Sequence, residues 1–152
     1  MIDYKKLIKY IIIPLGIGVI VGLLTGANGA YEEFVKPEFS PPAILFPIVW
    51  SILYILMGVS SYLVSESNNV LKDNALLYYY AQLVVNFLWS FVFFSFKWYL
   101  FAFIWLLLLI VLVVLMIIKF YRVNRTSAYL QIPYLFWILF AAVLNYAVYT
   151  LN

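Results

Sequence analysis

Residues 98–118 read WYLFAFIWLLLLIVLVVLMII, an uncharged stretch that is long enough to decide the fold. A helix needs about 20 mostly apolar residues to cross the hydrocarbon core of a bilayer. Charged residues divide the rest of the chain into similar stretches, which gives five predicted spans at about 8–24, 44–64, 75–96, 98–120 and 128–151. Because the runs are continuous and lack alternation, helices are favoured over barrel strands. We therefore predict an all-α membrane protein, a single five-helix bundle covering residues 1–152.

The composition excludes a soluble fold. Of the 152 residues, 68% are hydrophobic and 10% are charged, whereas an average soluble domain has about 25% charged residues. A soluble enzyme and a disordered chain are therefore both excluded. The chain also has no Cys and no His, which removes disulfides, thiolate nucleophiles and the commonest metal ligand. We expect no metal site and no resident cofactor.

The connection between the first two spans, residues 25–43, is much longer than the others. It carries Pro37, Pro41 and Pro42 along with several charges. Long connections inside a compact domain are usually functional or disordered. Each proline fixes its own φ and restricts the residue before it, so we expect a shaped loop.

The positive charges predict an orientation. Seven lysines and arginines lie on the side of the N-terminus: Lys5, Lys6, Lys9, Lys72, Lys119, Arg122 and Arg125. The other side has two, Lys36 and Lys97. Basic residues concentrate in cytoplasmic loops, so we predict the N-terminus inside and the long loop and C-terminus outside. The net charge of +3 is then a topology signal, and we expect no nucleic-acid partner.

The first span leaves two alternatives open. Its lysine-rich start, its apolar run and the Ala-Asn-Gly sequence at residues 27–29 also fit a cleavable signal peptide. Gly18, Gly22 and Gly26 recur every four residues and form a ridge of small side chains that lets another helix approach closely. The ridge fits either packing within the chain or a dimer interface.

Three spans each place aromatic and amide side chains on one helical face. The stripes are Phe46, Trp50, Tyr54 and Met57; Gln82, Asn86, Trp89, Ser90 and Phe93; and Pro133, Trp137, Ala141, Leu144 and Asn145. An amide without a partner is costly in hydrocarbon, so Gln82, Asn86 and Asn145 should face the interior. They could serve only to join helices, or they could line a cavity. Flat apolar walls with a few hydrogen-bonding groups are typical of a site for a planar small molecule.

The motifs along the chain resemble those of the TspO/MBR family, which includes translocator proteins and tryptophan-rich sensory proteins. The first group is Tyr31, Lys36-Pro37, Pro41-Pro42, Phe46, Val49-Trp50, Leu53-Tyr54 and Met57-Gly58. The second is Gln82-Leu83, Asn86, Trp89 and Phe93-Phe94. The third is Pro133-Tyr134-Leu135, Trp137, Phe140-Ala141 and Leu144-Asn145-Tyr146.

The resemblance implies a five-helix bundle, usually a homodimer, that binds porphyrins and, in some members, sterols or benzodiazepine-type compounds. It implies that the first loop folds over the pocket as a lid at Tyr31, Lys36, Pro37, Pro41 and Pro42. Pocket positions of the family correspond to Trp50, Tyr54, Asn86, Phe93, Trp137, Ala141 and Leu144. The stripes add Phe46, Gln82 and Trp89 as candidate ligand-binding residues. The expected location is the bacterial cytoplasmic membrane.

Three functions are compatible with these features, the first two of them implied by the resemblance. The first is a membrane receptor or carrier that binds a porphyrin-like tetrapyrrole. The second is an enzyme that degrades porphyrin with light and oxygen, for which Trp50 and Trp137 would be the catalytic residues. The third is a regulatory membrane partner. Without His or Cys the protein lacks the usual axial ligands of haem iron, so metal-free porphyrin is the expected ligand.

The chain departs from the family pattern in the lid and near the C-terminus. Ala30 stands where the family often has Trp, and Lys36-Pro37 is followed by Glu38-Phe39 in place of Ser-Trp. Both changes leave the ligand preference of the lid open. No Lys or Arg follows Arg125, as the sterol-recognition pattern requires, so we do not expect a sterol.

Overall fold

The computed structural model describes the backbone of residues 1–152 and every side chain except that of Asn28. Over these residues the chain forms seven α-helices. They are α1 (Tyr4–Thr25), α2 (Ala27–Glu33), α3 (Leu45–Ser65), α4 (Lys72–Ser90), α5 (Tyr99–Val123), α6 (Arg125–Leu130) and α7 (Ile132–Leu151). A π-helical segment, Phe91–Ser95, extends α4.

Five helical units in the described chain are long and apolar enough to cross a membrane. They are α1, α3, α4 with the π-helical segment, α5, and α6 with α7. With no strand in the described residues, the predicted all-α membrane bundle is confirmed. The fifth unit is interrupted at Gln131, and Pro133 lies in the first turn of α7, where the N–H that proline lacks is not needed.

The region between the first two spans is only partly a loop. We predicted a loop over residues 25–43, but Ala27–Glu33 forms α2. Gly26 has φ 62° and closes α1 with a left-handed cap, which redirects the chain. The residues after it contain no proline before Pro37, so they are free to continue as a helix. Residues 27–44 together are called the lid below.

Helix α5 packs one face against the bundle and presents the other outward. Its fully buried residues recur every three or four positions: Ala102, Leu106, Leu109, Val113, Met116 and Phe120. Aliphatic side chains such as Ile104, Leu108 and Val111 remain exposed on the opposite face. This spacing is that of one helical stripe. One face of the charge-free helix therefore belongs to the core, and the other face forms part of the outer surface.

The glycines of α1 and α3 allow two close contacts. A Cβ added to Gly58 would lie 2.5 Å from the Cα of Ile11, so α1 and α3 touch there through their backbones. A Cβ added to Gly18 would lie 2.5 Å from the Tyr54 ring. Gly18 therefore packs within the chain, whereas a Cβ at Gly22 or Gly26 would meet no described atom within 4 Å.

Candidate functional site

A cavity of about 320 Å³ lies between the lid and the ends of α1, α3, α4 and α7. Ten of the candidate ligand-binding residues line it: Tyr31, Phe46, Trp50, Tyr54, Asn86, Trp89, Phe93, Trp137, Ala141 and Leu144. The three stripes predicted from helical spacing therefore meet around one space. The walls of this cavity are formed by aromatic rings, together with a few uncharged polar groups.

Three candidate residues lie outside the cavity lining. The carbonyl oxygen of Pro41 accepts a hydrogen bond from the Tyr31 hydroxyl, which holds the lid in its fold. The Pro42 carbonyl accepts from the N–H of Leu45 at 3.0 Å, at the start of α3. Gln82 is fully buried one turn below the cavity, where its Oε1 accepts from the Tyr134 hydroxyl at 2.7 Å.

Stacked rings form the walls of the cavity. The rings of Trp50 and Tyr54 stack with centroids 5.4 Å apart and an angle of 27° between their planes. Across the cavity, Trp89 and Phe93 stack at 5.0 Å and 25°. Trp137 meets Trp50 edge-on at 6.4 Å. Each pair holds its members in fixed orientations, so the walls are flat surfaces on which a planar ligand could stack.

The π-helical segment shapes the lid side of α4. The N–H of Phe96 donates to the carbonyl of Phe91 at 2.9 Å, five residues back, which adds a residue to the turn. Phe93 and Phe94, both in this segment, line the cavity. The chain then turns at Lys97, whose φ of 58° is uncommon for a residue with a side chain, and enters α5.

Two amides supply polar groups in the cavity wall. Oδ1 of Asn86 accepts from the Tyr54 hydroxyl at 3.2 Å, and its Nδ2 donates to the Tyr134 hydroxyl at 2.7 Å. Asn145 accepts from Nε1 of Trp89 at 3.1 Å and donates to the Tyr99 carbonyl at 2.9 Å. Both side chains are fixed by neighbours, so they present preset dipoles to the cavity.

One donor in the aromatic wall is unpaired. The indole Nε1 of Trp137 is buried and has no hydrogen-bond partner among the groups that the structure describes. Trp137 is also one of the residues that line the cavity. Among the described side chains, no group of three acidic, His or Cys residues is arranged to hold a metal ion.

The lid is attached to the bundle by aromatic and polar contacts. The Phe34 ring meets the Phe93 ring edge-on at 5.4 Å. Nζ of Lys36 donates to the Tyr31 carbonyl at 2.7 Å and lies over the Tyr31 ring. The Pro37 carbonyl accepts from the N–H of Ser40 at 3.1 Å, which forms a turn. Burial raises the pKa of the Tyr31 hydroxyl, which keeps it a neutral donor to Pro41.

Two further contacts clamp the lid edge. The Asn152 side chain accepts from the N–H of Val35 at 3.1 Å and donates to the Val35 carbonyl at 2.9 Å, as a neighbouring strand would. Nζ of Lys97 lies 3.0 Å from Oε2 of Glu33. This hydrogen bond raises the pKa of Lys97.

Sequence reasoning missed one wall of the cavity. Leu15, Gly18 and Gly22 of α1 line the cavity, although the glycine ridge was considered only as a helix-packing surface. For Asn145, the sequence left open whether its amide only joins helices or lines a cavity, and the structure places it in the cavity lining. Phe34 was missed because the lid carries no periodic pattern from which its direction could be read.

Comparisons with known proteins agree on one family. The model of the TspO/MBR family matches residues 10–151. The tryptophan-rich protein TspO of Archaeoglobus fulgidus is 36% identical over 149 residues, which cover 97% of each chain. The protein CrtK of Rhodobacter capsulatus is 35% identical and covers 84% of this chain and 85% of its own. The human translocator protein is 33% identical and covers 80% of this chain and 74% of its own.

Proposed function

The chain belongs to the TspO/MBR family of integral membrane proteins, and we propose that it is a receptor or carrier for a porphyrin-type tetrapyrrole, bound in the cavity beneath its lid. One observation carries the proposal. Aromatic rings of α3, α4 and α7 line the same space and are accompanied by the fixed amides of Asn86 and Asn145. A flat, largely apolar ligand with a few polar groups matches such walls.

The size of the cavity requires the lid to take part in binding. Its volume of about 320 Å³ is near the lower limit of small-molecule sites, about 300–1,000 Å³. A macrocycle therefore needs the lid to move outward or one ring edge to project past it. The lid contacts of Glu33 and Val35 lie at its edge, where they can break without disturbing the helices.

The available polar groups favour a metal-free macrocycle. Haem iron is most often held by His or Cys, and the chain has neither. The amides of Asn86 and Asn145 can instead hydrogen bond to polar groups at the ligand edge. We expect protoporphyrin IX to bind more tightly than haem, and tighter haem binding would contradict this.

Titration of the purified protein with protoporphyrin IX in the dark tests the proposal, with quenching of tryptophan fluorescence as the signal. Replacing Trp50 with Ala removes a stacking surface worth about 0.5–1.5 kcal/mol beyond its buried area, so Kd should rise by up to about tenfold. Trp98→Phe is the matched control, because Trp98 is exposed and lies outside the cavity lining. Equal affinity of all three proteins would refute the site. Complete absence of binding would favour a regulatory role.

A second candidate function has one observation in its favour. Trp50 and Trp137, the residues expected to act in light-dependent porphyrin breakdown, both line the cavity and touch each other at 6.4 Å between centroids. Illumination of the complex in oxygenated buffer should then bleach protoporphyrin. Trp50→Phe or Trp137→Phe should slow bleaching while largely preserving binding. Bleaching that survives both changes would leave only the receptor or carrier function.

We also propose that the N-terminus lies in the cytoplasm and the lid outside, as seven against two basic residues indicate. The chain has no native Cys, so single cysteines can report the orientation. A membrane-impermeant maleimide added to whole cells should label Cys at Glu38 in the lid and should not label Cys at Arg125. The opposite pattern would invert the topology.

We propose in addition that two copies associate in the membrane. The outward face of α5 is aliphatic from Ile104 to Ile118, including Leu108 and Val111, and can pack against a second copy or against lipid. Mass measurement of the protein in lipid nanodiscs of defined size distinguishes one copy from two. A single copy per nanodisc at every ratio of protein to nanodisc would contradict the dimer.

A further inference from the structure

The charge-free part of α5 ends in two basic residues at the depth of lipid headgroups. Residues 98–118 carry no charge, and as a helix they extend about 31 Å, close to the hydrocarbon thickness of about 30 Å. Lys119 is the first charged residue after them, and Arg122 follows three residues later. Because residues three apart on a helix are neighbours, these two side chains share one side of α5. They are therefore placed at the level of the phosphates of one leaflet.

An aliphatic surface on α5 leads from the middle of the helix to Arg122. Val111, Leu115 and Ile118, called the α5 stripe below, are exposed, and spacings of four, three and four residues align them with Arg122. The rise from Val111 to Arg122 is about 16 Å. This is about half the hydrocarbon thickness, which is the depth of one leaflet. The α5 stripe therefore has the length and the chemistry of a surface for a lipid tail.

Neighbouring segments hold the basic end of α5 in place. Nζ of Lys119 lies 4.6 Å from the centre of the Tyr78 ring on α4, a favourable contact between a cation and an aromatic face. Nδ2 of Asn69 donates to the Arg122 carbonyl at 3.2 Å, which ties the connection between α3 and α4 to the end of α5. The two cations are therefore supported by parts of the chain outside α5.

The charge of the two cations is not neutralised within the part of the chain that the structure describes. The ion pairs among the described side chains lie at the start of α1 and at the lid edge, so Lys119 and Arg122 have no acidic partner there. Asp73 is the only acid on α4, and five residues place it about 140° around the helix from Tyr78. The pair of cations therefore keeps its positive charge for an external anion.

A phosphate next to a surface for a lipid tail fits a phospholipid. We propose that the end of α5 opposite the lid binds an anionic phospholipid. Its phosphate lies between Lys119 and Arg122, where the guanidinium can donate two parallel hydrogen bonds, and its tail lies along the α5 stripe. A zwitterionic lipid has the same phosphate but brings a cation of its own, so two positive side chains favour a headgroup with net negative charge.

The proposed lipid site is independent of the cavity. It lies at the end of the bundle opposite the lid and holds whether or not the cavity binds a porphyrin. It leaves the part of α5 nearer the lid, with Ile104 and Leu108, for contact with a second copy. Since Lys119 contacts α4, an anion bound beside it is shared by α4 and α5 and should stabilise their packing.

Lipid titration followed by native mass spectrometry tests the proposal. The purified protein in neutral detergent is titrated with palmitoyl-oleoyl phosphatidylglycerol and, separately, with phosphatidylcholine of the same chains. The first phosphatidylglycerol should bind in preference. That preference should fall about fivefold in Lys119→Gln and in Arg122→Gln, and about 30-fold in the double variant. An unchanged preference in the double variant would overturn the proposal.

The double variant Lys5→Gln with Lys9→Gln is the matched control. These lysines are exposed, lie on one face of α1 and belong to the same end of the bundle. Asp3, which caps α1 beside them, offsets part of their charge. The control should keep the preference for phosphatidylglycerol. A loss equal to that of the α5 double variant would indicate a general attraction of the positive end for anionic lipid and would overturn a specific site.

Competition with glycerol 3-phosphate distinguishes a lipid from a free phosphate. The compound carries a phosphate but has no tail for the α5 stripe, so at millimolar concentration it should not displace phosphatidylglycerol. Displacement would identify a site for a soluble phosphate and would overturn the assignment to a lipid.

Cross-linking tests whether a second copy covers the α5 stripe instead. The chain has no cysteine of its own, so Ile118→Cys introduces a single thiol on the stripe. Oxidation in membranes should give no disulfide-linked dimer through this position, because a lipid tail separates it from other copies. An efficient cross-link would place a second copy on the stripe and would overturn the lipid site.

Discussion

The lid half and the opposite half of the bundle are built from the same helices, yet they are filled in different ways. In the lid half, rings on α3, α4 and α7 surround a cavity of about 320 Å³, and a Cβ added to Gly22 would meet no described atom within 4 Å. In the opposite half, α1 and α3 touch through their backbones, where a Cβ added to Gly58 would lie 2.5 Å from the Cα of Ile11.

The difference shows how one set of stripes can serve two purposes. Large stacked rings hold one another in place and keep neighbouring helices apart, which leaves space for a ligand. Close backbone contact and polar side chains fix the other end, so that end supports the cavity. We therefore expect substitutions in the opposite half to cost stability and substitutions in the lid half to change binding and lid motion.

The largest effect is expected from Gly58→Ala. The new methyl group would collide with the backbone of α1, which cannot move aside as a flexible side chain can. Inserting an extra carbon into a tightly packed site costs about 1–3 kcal/mol, occasionally more. Gly22→Ala is the matched change in the lid half and should leave the melting temperature nearly unchanged. If Gly58→Ala and Gly22→Ala lower the melting temperature equally, the two halves of the bundle do not differ in packing as described.

Tyr134→Phe should have the next largest effect. It removes the hydroxyl that accepts from Asn86 and donates to Gln82, so two interhelical hydrogen bonds are lost. Such bonds in membrane proteins are worth about 0.6 kcal/mol on average and up to about 1.7 kcal/mol. Tyr129→Phe is the control, because Tyr129 is exposed. If the two variants unfold at the same denaturant concentration, the hydrogen bonds to Tyr134 do not stabilise the bundle.

Much of the fold follows from the sequence, because charges interrupt long apolar runs and the bilayer sets the length of a span. The stripes containing Trp50, Asn86 and Trp137 also follow, since helical spacing decides which residues share a face. Spacing fails where the helix is not regular. The π-helical segment Phe91–Ser95 depends on local hydrogen bonds, and the helix Ala27–Glu33 in the lid depends on the turn at Gly26.

The clamp on the lid was equally beyond the reach of sequence reasoning. Asn152 binds the backbone of Val35 from 117 positions away, and no pattern in the sequence links the two residues. Contacts of this kind arise only after the bundle has assembled. They provide the most direct means of changing the lid half alone.

Asn152→Ala should loosen the lid without destabilising the bundle. The change removes two hydrogen bonds to Val35, worth about 0.5–1.5 kcal/mol each, so local opening should become about five- to 150-fold more frequent. Hydrogen exchange at the Val35 N–H reports that opening. Thr150→Ala is the control, since its hydroxyl bonds only within α7. Unchanged exchange in Asn152→Ala would show that the aromatic contacts hold the lid by themselves.

The smallest effect is expected from Lys97→Met. Nζ of Lys97 and Oε2 of Glu33 are 3.0 Å apart on an exposed edge, where water and salt weaken an ion pair. Motion of the lid can be followed with a spin label on a cysteine introduced at Glu38, as the chain has no other cysteine. The variant should increase label mobility less than Asn152→Ala does, and the increase should vanish in high salt.

The pH dependence of the same contact has a definite sign. The hydrogen bond to Glu33 raises the pKa of Lys97 above its ordinary value of 10.5. The contribution of the ion pair is therefore fully present below pH 10.5 and is lost as the pH rises through the raised pKa. Above the raised pKa, the mobility of the label in the unsubstituted protein should approach that in Lys97→Met. The mobility of the label in Lys97→Met should not change with pH. A parent that loosens instead between neutral pH and pH 9 would show that another group controls the lid, because Lys97 remains charged throughout that interval.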